Sequence, residues 1–104
     1  MQNFKEGIQH MYQTLGNWSF ALADYWDLGV PKYFGTPTVD ILAAVIDPLV
    51  YKENLTMPKL VIDATGDEFF QVQDDSFWWG QLPGESLRMM IDNAEHSMAT
   101  GALY

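Results

Sequence analysis

Two short runs of apolar residues constrain this chain more than anything else in it. Lys59-Leu60-Val61-Ile62-Asp63-Ala64 is rich in branched side chains and closes in the turn Thr65-Gly66-Asp67. Ser86 to Ile91 is a second run, entered through Pro83-Gly84. Runs of this length bounded by turn residues read as buried strands. Between them Asp74 or Asp75 is placed to cap a helix carrying Phe77, Trp78 and Trp79. The whole stretch therefore reads strand, loop, helix, strand, the length of one parallel crossover unit. Two parallel strands alone would leave two edges and two apolar faces open. Either the preceding helices cover them, or further strands of the sheet lie outside this chain.

Ahead of Pro58 the pattern is helical. Phe4, Ile8, Met11, Tyr12 and Leu15 form one stripe that stops at Gly16. A second helix is expected over 18–28, with Trp18, Leu22, Tyr25 and Trp26 on one face. Thr36-Pro37 is a cap followed by proline at the first helical position, opening a third helix. Its residues Val39, Ile41, Leu42, Val45 and Ile46 predict burial over much of its surface. Asp47-Pro48 repeats the signal for one more short turn. The fold class expected is α/β, with residues 1–57 a helical segment and 58–104 a β-α-β unit in a single, partial domain. The aromatics Trp18, Phe20, Tyr25, Trp26, Tyr33 and Phe34 could line a sugar or peptide groove, but their helical spacing favours packing in the core or against another domain.

Charge narrows the partners. The formal charge is −9, and from Leu60 onward eight carboxylates face Arg88 alone. Such a field repels phosphate backbones and anionic headgroups, so nucleic acid and membrane surfaces are not expected partners. No apolar run approaches the roughly 20 residues needed to cross a bilayer. The polar start Met1-Gln2-Asn3-Phe4-Lys5-Glu6 has no signal-peptide shape. With no cysteine there is no disulfide scaffold or thiolate site, and the compartment stays open. Asn17-Trp18-Ser19 and Asn54-Leu55-Thr56 match the glycosylation pattern, which matters only on a secretory route. His10 and His96 are the only histidines and the carboxylates lack the spacing of a calcium loop, so no metal site is expected; no cofactor is expected either.

Open α/β sheets gather reactive groups just beyond the carboxyl ends of their strands. Asp67 follows the first strand and His96 the second, so one crossover brings both loops to the same edge. There a carboxylate can orient a histidine base. The competing reading of Asp67 is a turn carboxylate that caps its own backbone; that of His96 is a surface residue. Glu68 and Glu95 read as solvated charge, with the role of substitute acid as the alternative. Asp74-Asp75 reads as a helix cap.

Several stretches taken together resemble the PhoPQ-activated pathogenicity-related family, which includes autocrine proliferation repressor proteins. They are residues 56–70, Asp74-Asp75-Ser76 with Trp78-Trp79, Leu82-Pro83-Gly84-Glu85, Leu87-Arg88-Met89, and Asn93-Ala94-Glu95-His96-Ser97. The earlier Trp18-Ser19-Phe20-Ala21-Leu22, Asp24-Tyr25 and Asp47-Pro48 with Tyr51 belong to the same likeness. That family is similar to α/β-hydrolases, where the chain order is nucleophile, acid, histidine. The resemblance implies Asp67 as the acid and His96 as the base of a Ser/Asp/His site for ester or peptide hydrolysis, and the first helices as part of a cap. No G-x-S-x-G elbow precedes Asp67: Ser19 lacks the flanking glycines, and Ser76 and Ser97 follow the acid. The chain thus reads as the carboxyl-terminal portion of such a protein, lacking the nucleophile and inactive alone. The alternatives are a non-catalytic secreted regulatory or binding protein, and a truncated product that self-associates through exposed strand edges.

Overall fold

A computed structural model of the chain describes residues 3–102; the outermost residues of the two expected segments, 1–2 and 103–104, lie outside that range. Helix α1, Phe4–Leu15, buries Met11 and partly covers Phe4 and Ile8, while Tyr12 and Leu15 at the end of the stripe stay exposed. Gly16 ends it in the left-handed region at φ 70°, its N–H donating to the Tyr12 carbonyl at 2.9 Å. The other end is capped from far along the chain. Both carboxylate oxygens of buried Asp47 accept backbone N–H groups, from Asn3 and Phe4, each at 3.0 Å. Asp47 also accepts from Leu49 N–H at 2.9 Å, as the sequence predicts for the 3₁₀ segment Pro48–Asn54. One carboxylate therefore serves two helix starts.

The region 18–28 departs from a single helix. The Ser19 hydroxyl accepts from Ala21 N–H at 3.3 Å and opens a 3₁₀ turn, Phe20–Leu22, before α2, Ala23–Asp27. Local side-chain bonding has displaced the first helical turn. A further 3₁₀ turn, Val30–Tyr33, precedes α3, Pro37–Ile46. Helix α3 starts where Thr36-Pro37 predicts, but the Thr36 hydroxyl donates back to the Tyr33 carbonyl rather than capping it. The expected burial of α3 is wrong: only Val39 is buried, and Ile41 and Val45 are each 68% exposed. Apolar content sets a helix's appetite for burial, and here nothing among the described residues covers its outer side.

Strands β1, Lys59–Ala64, and β2, Ser86–Ile91, fall on the two apolar runs and pair in parallel, Lys59 beside Ser86 and Ala64 beside Ile91. The fold is mixed α/β, with a two-stranded parallel sheet. Its crossover is not an α-helix but two 3₁₀ segments, Val72–Phe77 and Trp79–Gln81. Asp74 and Asp75 do not cap it. Asp75 and Asp63 both bind the Arg88 guanidinium, the latter at 2.7 Å, while Trp78 and Trp79 flank it with ring centroids at 6.0 and 5.7 Å. Arg88, the lone lysine or arginine after Lys59, ties β2 to β1 and to the crossover.

The helices cover one side of this unit only. Helix α1 lies against the crossover, where His10 meets the edge of Phe77. On the opposite sheet face Leu60, Ile62, Leu87 and Met89 remain exposed. The accessible surface, 6816 Å², exceeds the about 5,900 Å² expected of a folded monomer of this size, in keeping with that open face.

Candidate functional site

The loops after β1 and β2 are laced together at the carboxyl edge of the sheet. Thr65 N–H donates to Ile91 O at 3.0 Å, Asn93 N–H to the Thr65 hydroxyl at 2.9 Å, and Gly66 N–H to Ala94 O at 2.9 Å. Gly66 is required by this approach, because a Cβ there would stand 2.9 Å from the Ala94 carbonyl oxygen. Ala64 and Ala94 are both buried at the junction. Their small side chains let the two loops close.

Asp67 and His96 meet on this platform. Asp67 Oδ2 accepts from His96 Nδ1 at 2.9 Å, and Oδ1 accepts from the backbone N–H groups of Phe69 and Phe70 at 2.8 and 2.9 Å. The two readings of Asp67 were not alternatives: one oxygen caps the turn and the other holds the imidazole. The Asp67 side chain is 9% exposed and that of His96 45%. A carboxylate fixed at Nδ1 selects the tautomer whose Nε2 carries the lone pair, on a ring that is itself partly exposed. Phe69 and Phe70 rest against the imidazole, with ring centroids 4.8 and 5.3 Å away.

The flanking glutamates are not simply solvated. Glu68 Oε2 accepts the His96 backbone N–H at 3.1 Å. Glu95 accepts the hydroxyls of Ser97 and Thr100, and these bonds hold its carboxyl down at about 2. Both brace the loop that carries His96, and the sequence signal was only their adjacency to it. Asn93 and Met98, on either side of the histidine, have positive φ, 54° and 59°. For Met98 this is an uncommon backbone state that the surrounding bonds maintain.

No serine is brought to His96 among the described residues. Ser97 is bound to Glu95, Ser76 donates to Gln73 O, and Ser19 caps its 3₁₀ turn. His10 lies elsewhere, its Nδ1 2.9 Å from Asp74 Oδ1, a pairing that sequence reading missed. Burial raises the Asp74 carboxyl above its ordinary value; the His10 partner offsets this only in part. Among the described residues no cluster of three or more His, Asp or Glu side chains could hold a metal ion.

The aromatics of the helical segment are not a core. Trp18, Tyr25, Trp26 and Phe34 line an apolar groove of about 290 Å³ that reaches Phe69 and Phe70, while Phe20 and Tyr33 are exposed outside it. A second cleft, about 230 Å³, runs from Asp67 and His96 past Phe70 to Asp74 and Arg88.

Comparison with known proteins fixes the family. The family model described as PhoPQ-activated pathogenicity-related protein matches residues 1–103. The chain belongs to this family. It is also similar to autocrine proliferation repressor protein A of Dictyostelium discoideum, 39% identical over 99 residues, covering 92% of this chain. The chain spans 20% of that relative's length. No solved structure matches. The family membership implied by the strand, crossover and histidine-loop motifs is thus established over nearly the whole chain.

Proposed function

We propose that this segment supplies the acid and the base of a serine-type acyl-transfer site in an α/β-hydrolase-like family member. The observation that carries the reading is the 2.9 Å contact between Asp67 Oδ2 and His96 Nδ1 at the carboxyl edge of adjacent parallel strands, on an imidazole side chain that is 45% exposed. Residues 58–104 form the late part of the hydrolase-like sheet, and 1–57 contribute to a cap over it. The nucleophile and the oxyanion donors come from parts of a longer protein, of which this chain covers the share carrying acid and histidine.

In that site Nε2 takes the hydroxyl proton as the serine oxygen attacks the carbonyl carbon of an ester or peptide. The imidazolium then delivers the proton to the leaving group, and Asp67 stabilises the transient charge without taking the proton itself. Phe69 and Phe70 hold the ring between loop and groove. Replacing His96 by alanine in a complete family member carrying this segment should lower kcat for an activated ester by about 10⁴-fold. Unchanged turnover in a folded His96→Ala protein would refute the reading.

A non-catalytic regulatory role is the second reading, and it is favoured by the name of the similar repressor protein. The same variant separates the two. Proliferation-repressing activity that survives His96→Ala, with no esterolysis in the parent protein, would assign the segment to binding.

A further inference from the structure

The apolar groove and the Asp67–His96 pair share two residues. Phe69 and Phe70 form the groove's end wall, their rings touch His96, and their backbone N–H groups are bound by the same Asp67 carboxylate that holds the imidazole. A group seated between Trp18, Leu22, Trp26 and Phe34 therefore packs on the two phenylalanines whose rings bear on His96. No charged side chain lines the groove. Its volume, about 290 Å³, lies at the small end of ligand sites, which begin at roughly 300 Å³. That suits a single aromatic or short aliphatic group, not a polymer segment.

Charge decides further. The groove sits in a chain of net charge −9, most of it on the half that carries the dyad. An anionic ligand would meet both an apolar wall and a repulsive field, whereas a neutral one meets neither cost. We propose that the groove is the subsite for the apolar acyl group of a small neutral carboxylic ester, and that it discriminates against the free carboxylate left by cleavage. This deepens the acyl-transfer reading and rests on it for the fate of the ester, though not for its binding. The open sheet face of Leu60, Leu87 and Met89 is also apolar and exposed, but it lies outside both clefts and serves as the internal control.

The test is to titrate the 104-residue chain with methyl 3-phenylpropanoate and, separately, with 3-phenylpropanoate anion, following tryptophan fluorescence and backbone NMR signals. The ester should bind saturably and move the signals of Leu22, Phe69, Phe70 and His96, with the anion at least tenfold weaker. Leu42→Glu, which charges a partly exposed groove wall, should weaken ester binding at least tenfold, while Leu42→Met keeps it and both retain the wild-type circular dichroism. Equal affinity for ester and anion, wild-type binding by Leu42→Glu, or shifts confined to the open sheet face would overturn the proposal. The two readings fail separately. Saturable binding in the groove, with His96→Ala harmless to a complete protein, removes the catalytic reading alone. Loss of turnover in His96→Ala, with acyl preference unmoved by Leu42→Glu, removes the groove alone.

Discussion

The molecule holds two histidine–aspartate pairs with the same 2.9 Å contact at Nδ1, and they are built for opposite ends. At Asp67–His96 both carboxylate oxygens are satisfied, one by the imidazole and one by two backbone N–H groups, and Nε2 has no hydrogen-bond partner among the described residues. At Asp74–His10 the far nitrogen is occupied by the Thr14 hydroxyl at 3.3 Å, while Asp74 Oδ2 is buried without a hydrogen-bond partner. The first pair is a fully supported carboxylate holding a partly exposed imidazole. The second is a tether between α1 and the crossover, bought with an unsatisfied oxygen. A short contact between a carboxylate and an imidazole does not by itself mark a reactive site; what the remaining oxygen and nitrogen do decides it.

The largest effect should come from breaking the functional asymmetry. In a complete family member Asp67→Asn presents the wrong tautomer at His96 and should lower kcat for an activated ester by about 10⁴-fold, whereas His10→Gln should leave it within about twofold, since His10 makes no contact with the dyad. Equal losses in steady-state assays would erase the distinction. Next is Gly66→Ala. Its methyl would press on the Ala94 carbonyl and part the two loops, costing about 1–3 kcal/mol in denaturant unfolding and loosening the His96 Nδ1 proton seen by NMR. An unchanged midpoint and an unshifted proton signal would show that the loops do not need the close approach.

The tether yields a pH prediction of defined sign. Burial raises Asp74 above the ordinary 3.8, His10 opposing and neighbouring Asp75 reinforcing that shift. Its contribution to stability is therefore fully present below 3.8 and is lost as pH rises through the raised folded value. Relative to Asp74→Asn, the wild type should lose melting temperature over that rise; parallel curves for the two proteins would contradict it. Smallest is Glu95, an exposed carboxyl held at about 2 by Ser97 and Thr100. Its stabilisation is present above the ordinary 4.5 and is lost as pH falls towards about 2. Glu95→Gln should slightly lower the neutral-pH melting temperature and flatten the acid limb, with no effect on the His10 pair.

Much of the fold was legible locally. Gly16 stops α1, Pro37 opens α3, and both strands follow their apolar runs, because each signal acts within a few residues of where it is read. The adjacency of Asp67 and His96 was legible too, since a single crossover between parallel strands leaves both loops at one edge. Helix 18–28 and the crossover helix were misread where Ser19, and the Arg88 pairings of Asp63 and Asp75, replaced regular helical bonding.

The sequence by itself thus determined the extent of α1, the start of α3, the parallel pair and the meeting of Asp67 with His96: all follow from periodicity, turn chemistry and chain connectivity. Only the tertiary structure decided that Asp47 caps α1 from 44 residues away, that Asp74 is buried against His10, that α3 is left uncovered, and that the helical aromatics open into a groove ending on the dyad. Each of these depends on which surfaces meet across long sequence separations. Burial and electrostatics at such meetings are properties of the assembled neighbours, and no local pattern encodes them.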